Sequence, residues 1–150
     1  IPPTFTESRR VHTPIVSSSA HNVAAAFADY DHDGRMDIVR ATTAGSRVTL
    51  FRNTTDIGSH HWLEVRIGEV PVLGGTGGIS ARVVSKTGDL IQFRDIRGGS
   101  CRGSHNPLSV WFGLGNYTGA DWVAALFPDG RQLAVRNVSG DQVLDLSSPQ

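Results

Sequence analysis

Asp29-Tyr30-Asp31-His32-Asp33-Gly34-Arg35-Met36-Asp37 constrains this chain more than any other stretch. Its aspartates fall in the pattern D-x-D-x-D-G-x-x-D. Two carboxylates about 4 Å apart repel by about 4 kcal/mol at an effective dielectric of ~20, so a fold that gathers four of them needs a cation. Short carboxylates and a backbone carbonyl are hard oxygen donors, which suit Ca²⁺ better than Zn²⁺ or Mg²⁺. Asp29, Asp31, Asp33 and Asp37 are the expected carboxylate ligands, with the carbonyl of Arg35 as a further one. Gly34 supplies the tight turn that wraps the chain around the ion. An EF-hand would need a bidentate Glu at its last loop position, where counting from Asp29 places Arg40, and a helix on each side. Val23–Ala28 is too short for an independent helix. Met36–Ala41 is short, β-branched and bounded by turn residues. The pattern predicts a strand–loop–strand calcium hairpin.

The rest of the chain reads as all-β. Strands are predicted at Arg47–Arg52, Trp62–Gly68, Ile79–Lys86, Leu90–Ile96, Leu108–Phe112, Trp122–Phe127, Gln132–Arg136 and Gln142–Leu146. In Trp62-Leu63-Glu64-Val65-Arg66-Ile67 the alternation puts Leu63, Val65 and Ile67 on one face. Thr87-Gly88-Asp89 and Pro128-Asp129-Gly130-Arg131 read as hairpin turns. With 17 glycines and seven prolines at such junctions, a sandwich or partly closed barrel is the expected architecture.

Composition excludes several classes of function. The 14 basic and 14 acidic residues cancel, so no global field draws the chain to nucleic acid or an anionic membrane. No apolar run is long enough to span a bilayer as a helix. The numbering starts at Ile1 without a methionine, which suggests a processed product or a fragment. Cys101, the single cysteine, forms no intrachain disulfide and reads as a small buried hydrophobe or an intermolecular bridge.

No catalytic constellation emerges. His60 and His61 point to opposite faces of a strand. Cys101 and His105 lack both a second cysteine pair for zinc and a group to orient the histidine. The glycines of 74–78 lack the Gly-Lys-Ser/Thr ending of a phosphate loop. Trp62, Trp111 and Trp122 could stack on sugar rings, but two of them lie in apolar strands, where core packing is favoured. The chain is expected not to be an enzyme.

Three of the five asparagines begin N-x-S/T sequons: Asn53, Asn116 and Asn137. They are expected on exposed turns or strand ends, where in a secreted protein they would accept glycans. A calcium loop of this kind would also fill better outside the cell than in the cytosol. Both arguments favour an extracellular or cell-surface location.

Phe5-Thr6-Glu7, the stretch from Ala26 through the acidic loop to Val39, and Leu50-Phe51-Arg52-Asn53 together resemble one FG-GAP/VCBS repeat, the integrin-type propeller blade with a calcium loop. The remainder of the chain is similar to the ASPIC/UnbV domain, found after such repeats in secreted proteins. That likeness rests on His60-His61-Trp62-Leu63-Glu64-Val65, Gly78-Ile79-Ser80-Ala81-Arg82-Val83, Arg97-Gly98-Gly99, Trp111-Phe112-Gly113-Leu114-Gly115 and Phe127-Pro128-Asp129-Gly130. The resemblance implies an all-β chain: an FG-GAP-like calcium-binding blade at 1–56 joined to an antiparallel β-sandwich at 57–150. The function it implies is a secreted, non-catalytic structural or adhesive module. One blade cannot bury both faces alone, so it is expected to pack either on the C-terminal sandwich of its own chain or on another molecule, the latter as self-assembly into a homo-oligomer or filament through the N-terminal segment. The alternative is a carbohydrate-binding or glycan-processing accessory domain cut from a larger propeller protein.

Overall fold

The computed structural model describes residues 5–7, 22–42, 47–68, 78–99 and 104–146. All of its regular structure is β. The strands are β1 (Phe5–Glu7), β2 (Asn22–Ala28), β3 (Asp37–Thr42), β4 (Arg47–Asn53), β5 (His61–Arg66), β6 (Arg82–Thr87), β7 (Leu90–Asp95), β8 (Ser109–Gly115), β9 (Gly119–Leu126), β10 (Gln132–Ser139) and β11 (Gln142–Asp145). They form three sheets, ordered β1-β4-β3-β2, β10-β9-β6-β7 and β11-β5-β8. Two compact units result, Ile1–Asp56 with Gly99–Pro107, and Ile57–Gly98 with Leu108–Gln150.

The first unit holds the acidic hairpin. β2 and β3 pair antiparallel with Ala28 opposite Asp37, and β4 continues the sheet with Phe51 opposite Ile38. Its buried residues are unusual. Among the described residues of this unit only one hydrophobic side chain, Phe51, is fully buried, against the polar or charged Asp29, Asp37, Arg40 and Thr49. The Arg40 guanidinium lies 5.1 Å from the centre of the Phe51 ring. A sheet with so little apolar burial must draw on its polar interactions for stability.

The second unit has a conventional core. Leu63, Val65, Val83, Phe112, Leu114 and Val123 are among its completely buried side chains. Leu63, Val65 and Ile67 join this core as predicted, although Glu64 on the other face of β5 is buried as well. Gly88 (φ 55°) and Asp89 form a two-residue hairpin turn between Thr87 and Leu90, the connection whose twist matches that of the flanking strands. At the other predicted turn Phe127 N–H donates to Arg131 O at 2.9 Å, and Gly130 adopts φ 86°.

Three expectations are corrected. β11 runs parallel to β5, with Val143 opposite Glu64, so the second unit is not wholly antiparallel. Residues 79–81 belong to a turn and its exit, and the strand predicted from Ile79 begins at Arg82. There Gly78 takes φ 73°, which terminates pairing in a way hydrophobicity alone does not signal. Finally, Trp62, Trp111 and Trp122 are half-buried and stand outside the core. Each neighbours a fully buried residue, Leu63, Phe112 and Val123, and strand alternation turns it to the opposite face.

Candidate metal centre

The base of the acidic hairpin is set by the pairing of β2 with β3, which carries Asp29 and Asp37 into the loop from opposite strands. Asp29 Oδ1 accepts the N–H of Asp33 at 3.1 Å and its Oδ2 that of Gly34 at 2.8 Å. Asp37 Oδ1 accepts the N–H of Asn53 at 2.7 Å and its Oδ2 that of Tyr30 at 3.2 Å. His32 (φ 58°) and Gly34 (φ 84°) both adopt the left-handed conformation. Gly34 does so without the penalty that a Cβ would impose. Asp29 and Asp37 are 5% and 1% exposed. Burial pushes the Asp29 carboxyl above the usual aspartate range, the N–H groups of Gly34 and Asp33 pull it down, and the charges of Asp33 and Asp31 push it up.

Carboxylate oxygens of Asp29, Asp31 and Asp37 all lie within 4.8 Å of one another. Asp31 Oδ1 is buried without a hydrogen-bond partner. An orphaned buried carboxylate oxygen is costly, and beside two further carboxylates it is the atom a cation would satisfy. The donor set, oxygen throughout, fits a hard divalent ion.

Asp33 is turned elsewhere. It pairs with Arg35 and, at 3.2 Å, with Arg52, which also meets Asp31 Oδ2 at 2.7 Å. Arg35 takes part through its N–H, donated to Asp33 Oδ1 at 3.0 Å, and through Nε, donated to Asn53 O at 2.8 Å. The loop's four carboxylates thus face two guanidiniums, an excess of two negative charges that one divalent cation would balance.

Arg52 and Asn53 are the participants that motif reading misses as members of the loop. They come from the end of β4, brought beside the hairpin by strand register, and local spacing carries no trace of it. Asn53 is held on three sides. Its Nδ2 donates to Met36 O at 3.2 Å, and its Oδ1 accepts Thr55 N–H at 3.1 Å and Thr55 Oγ1 at 2.6 Å. This sequon asparagine is half-buried, where an exposed position was expected. Asn116 and Asn137 are exposed, the first after β8 and the second within β10 at φ 55°.

The remaining residues singled out by sequence do not converge on the loop. His60 is exposed, and His61 Nδ1 meets Asp141 Oδ2 at 2.6 Å. His105 Nδ1 contacts Asn106 O at 2.9 Å. Cys101 and the glycines 74–77 lie outside the described residues. No helix among the described residues is long and apolar enough to cross a membrane.

Residues 74–150 match the family model described as ASPIC and UnbV. No curated protein matches the chain significantly.

Proposed function

The chain belongs to the ASPIC and UnbV family, and from that premise we propose that it is a secreted, non-catalytic calcium-binding module with a structural or adhesive role. The observation that carries the calcium reading is the approach of Asp29, Asp31 and Asp37 carboxylate oxygens to within 4.8 Å of one another, with Asp31 Oδ1 buried and unpartnered. Asp29, Asp31 and Asp37 would hold the ion and the Arg35 carbonyl would add a further oxygen, whereas Asp33, expected from the motif as a ligand, is engaged by Arg35 and Arg52 instead. A bound Ca²⁺ supplies charge balance and cross-linking to a sheet that buries little apolar surface. The chain's own residues do the rest: Asn53 ties β4 to Met36 and Asp37, and Arg52 offsets the charges of Asp31 and Asp33. On this reading β1–β4 form an FG-GAP/VCBS-like blade and residues 57–150 an ASPIC/UnbV β-sandwich. Isothermal calorimetry should give one Ca²⁺ per chain, and Asp31→Ala should abolish the heat of binding. A wild-type titration without heat in several buffers would reject the reading.

Location and assembly belong to the same proposal. Exposure of Asn116 and Asn137 supports a glycosylated extracellular protein, whereas Asn53 has its amide nitrogen engaged with Met36 O. Glycopeptide mapping of native material should therefore show glycan on Asn116 or Asn137 and a bare Asn53. Assembly would run through the N-terminal segment into a homo-oligomer or filament. β1 is an outer strand of its sheet, and an outer strand can accept a neighbour's chain. Deleting residues 1–6 should leave the core folded and remove higher-order species. A wild-type chain that stays monomeric at high concentration with calcium would contradict this.

One observation favours the carbohydrate-binding alternative. Trp62 and Trp111 are half-buried on the face that also bears Glu64, and Trp111 stands directly opposite Glu64 in the register. The indole nitrogen of Trp111 and Glu64 Oε2 are both buried without partners. Aromatic faces beside polar groups suit sugar rings. Binding on a glycan array that Trp62→Ala removes would support it.

A further inference from the structure

β2 is an outer strand of the first unit's sheet, and outer strands expose a row of backbone groups that another chain can pair with. Proteins usually blunt such an edge with charges, proline or a β-bulge. β2 has a register irregularity between Asn22 and Ala24, but from Ala24 to Ala28 it uses none of these. Its seven residues, Asn22-Val23-Ala24-Ala25-Ala26-Phe27-Ala28, are uncharged and free of proline and glycine. The strand therefore lacks the charges and proline that discourage intermolecular strand pairing.

The protection comes from far along the chain. Ser104 Oγ donates to Ala25 O at 2.7 Å, and Asn106 Oδ1 accepts the N–H of Phe27 at 3.0 Å. Ser104 and Asn106 are two residues apart, as are Ala25 and Phe27. The segment therefore runs along the edge with the period of a strand. Ser104 is itself a β-bridge residue, and the side-chain oxygens of Ser104 and Asn106 bond groups that a partner's backbone would take. Ala25 O and Phe27 N–H are also the pair of groups that one residue of an added parallel strand would engage. The segment lies in the same compact unit as β2.

We propose that the 104–106 segment is a built-in guard of the β2 edge, its Ser104 and Asn106 side chains occupying the strand-addition slot against a second copy of this chain. The guard stands independently of the calcium reading. It directs any strand-mediated assembly away from β2.

The test compares the full chain with the double variant Ser104→Ala/Asn106→Ala and with the conservative pair Ser104→Thr/Asn106→Asp, which keeps a hydroxyl and an acceptor oxygen. Opening the guard should speed hydrogen exchange at the Phe27 amide about ten-fold or more in dilute solution, while Val39 within the sheet keeps its protection. Sedimentation velocity should show species larger than those of the wild type under the same conditions. At high concentration the Phe27 amide should regain protection, which assembly elsewhere on the chain does not produce. The conservative pair should behave as wild type. If circular dichroism shows that the double variant has lost its sheet, the two single variants, each keeping one bond, are read in the same way. A double variant that sediments as the wild type overturns the proposal. So does faster exchange without new association, or association that the conservative pair shares equally.

Discussion

Excess chelator should lower the melting temperature of the calcium-loaded protein by about 5–10 °C. A ligand at about 100 times its dissociation constant stabilises the folded state by about 2.7 kcal/mol, and in a chain of this size 1 kcal/mol moves the midpoint by roughly 2–4 °C. The effect should concentrate in the first unit. Among its described residues the buried set is Asp29, Asp37, Arg40 and Thr49 with Phe51 as the single hydrophobe, so little apolar burial seen there compensates for the lost ion. Asp31→Ala should melt like the chelated wild type and gain nothing from calcium. Identical melting curves with and without the ion would sink the expectation.

The pH dependence has a definite sign. The folded-state pKa of Asp29 is raised, chiefly by burial. In the ion-free protein this group's contribution to stability is present below its unfolded pKa and is lost as pH rises through the folded one. With calcium the direction reverses. A proton competes with the ion at Asp29 at a higher pH than at an ordinary aspartate, so the calcium-dependent rise in melting temperature should shrink as pH falls into that range.

Phe112→Ala should cost about 3–5 kcal/mol, the usual range for emptying a fully buried phenylalanine site. Phe112 is 0% exposed in the core of the second unit, and the Arg94 guanidinium lies 5.6 Å from its ring centre. Urea unfolding should show the loss as a shifted midpoint with little change in slope. Phe93→Ala is the control. Phe93 is 58% exposed, with Arg82 stacked 4.8 Å over its ring, and its removal should cost no more than the cation–π contact, about 0.5–1 kcal/mol. Equal losses at the two positions would show that the assigned core is wrong.

Where local spacing carries the information, the sequence was sufficient. The nine-residue acidic loop, the strands on either side of it, the Gly88-Asp89 hairpin and the inward face of Leu63, Val65 and Ile67 are all set by neighbours a few positions apart. A turn conformation or a strand's alternation is decided by those same neighbours. The tryptophans mark the limit of this reasoning. Hydrophobicity argued for the core, but the pleat allows only one of two adjacent residues inside, and Leu63, Phe112 and Val123 took those places.

Tertiary structure alone decided everything that depends on pairing between distant strands. It set the Arg52 guanidinium against both Asp31 and Asp33, because β4 brings Arg52 to the hairpin. It engaged Asn53 with Met36 and Asp37, laid β11 parallel to β5, and returned Ser104 and Asn106 to the edge of β2. Each of these contacts joins residues that no short-range pattern links. Register across a sheet is set by the whole set of buried faces that must match, so it exists only once the sheet has formed.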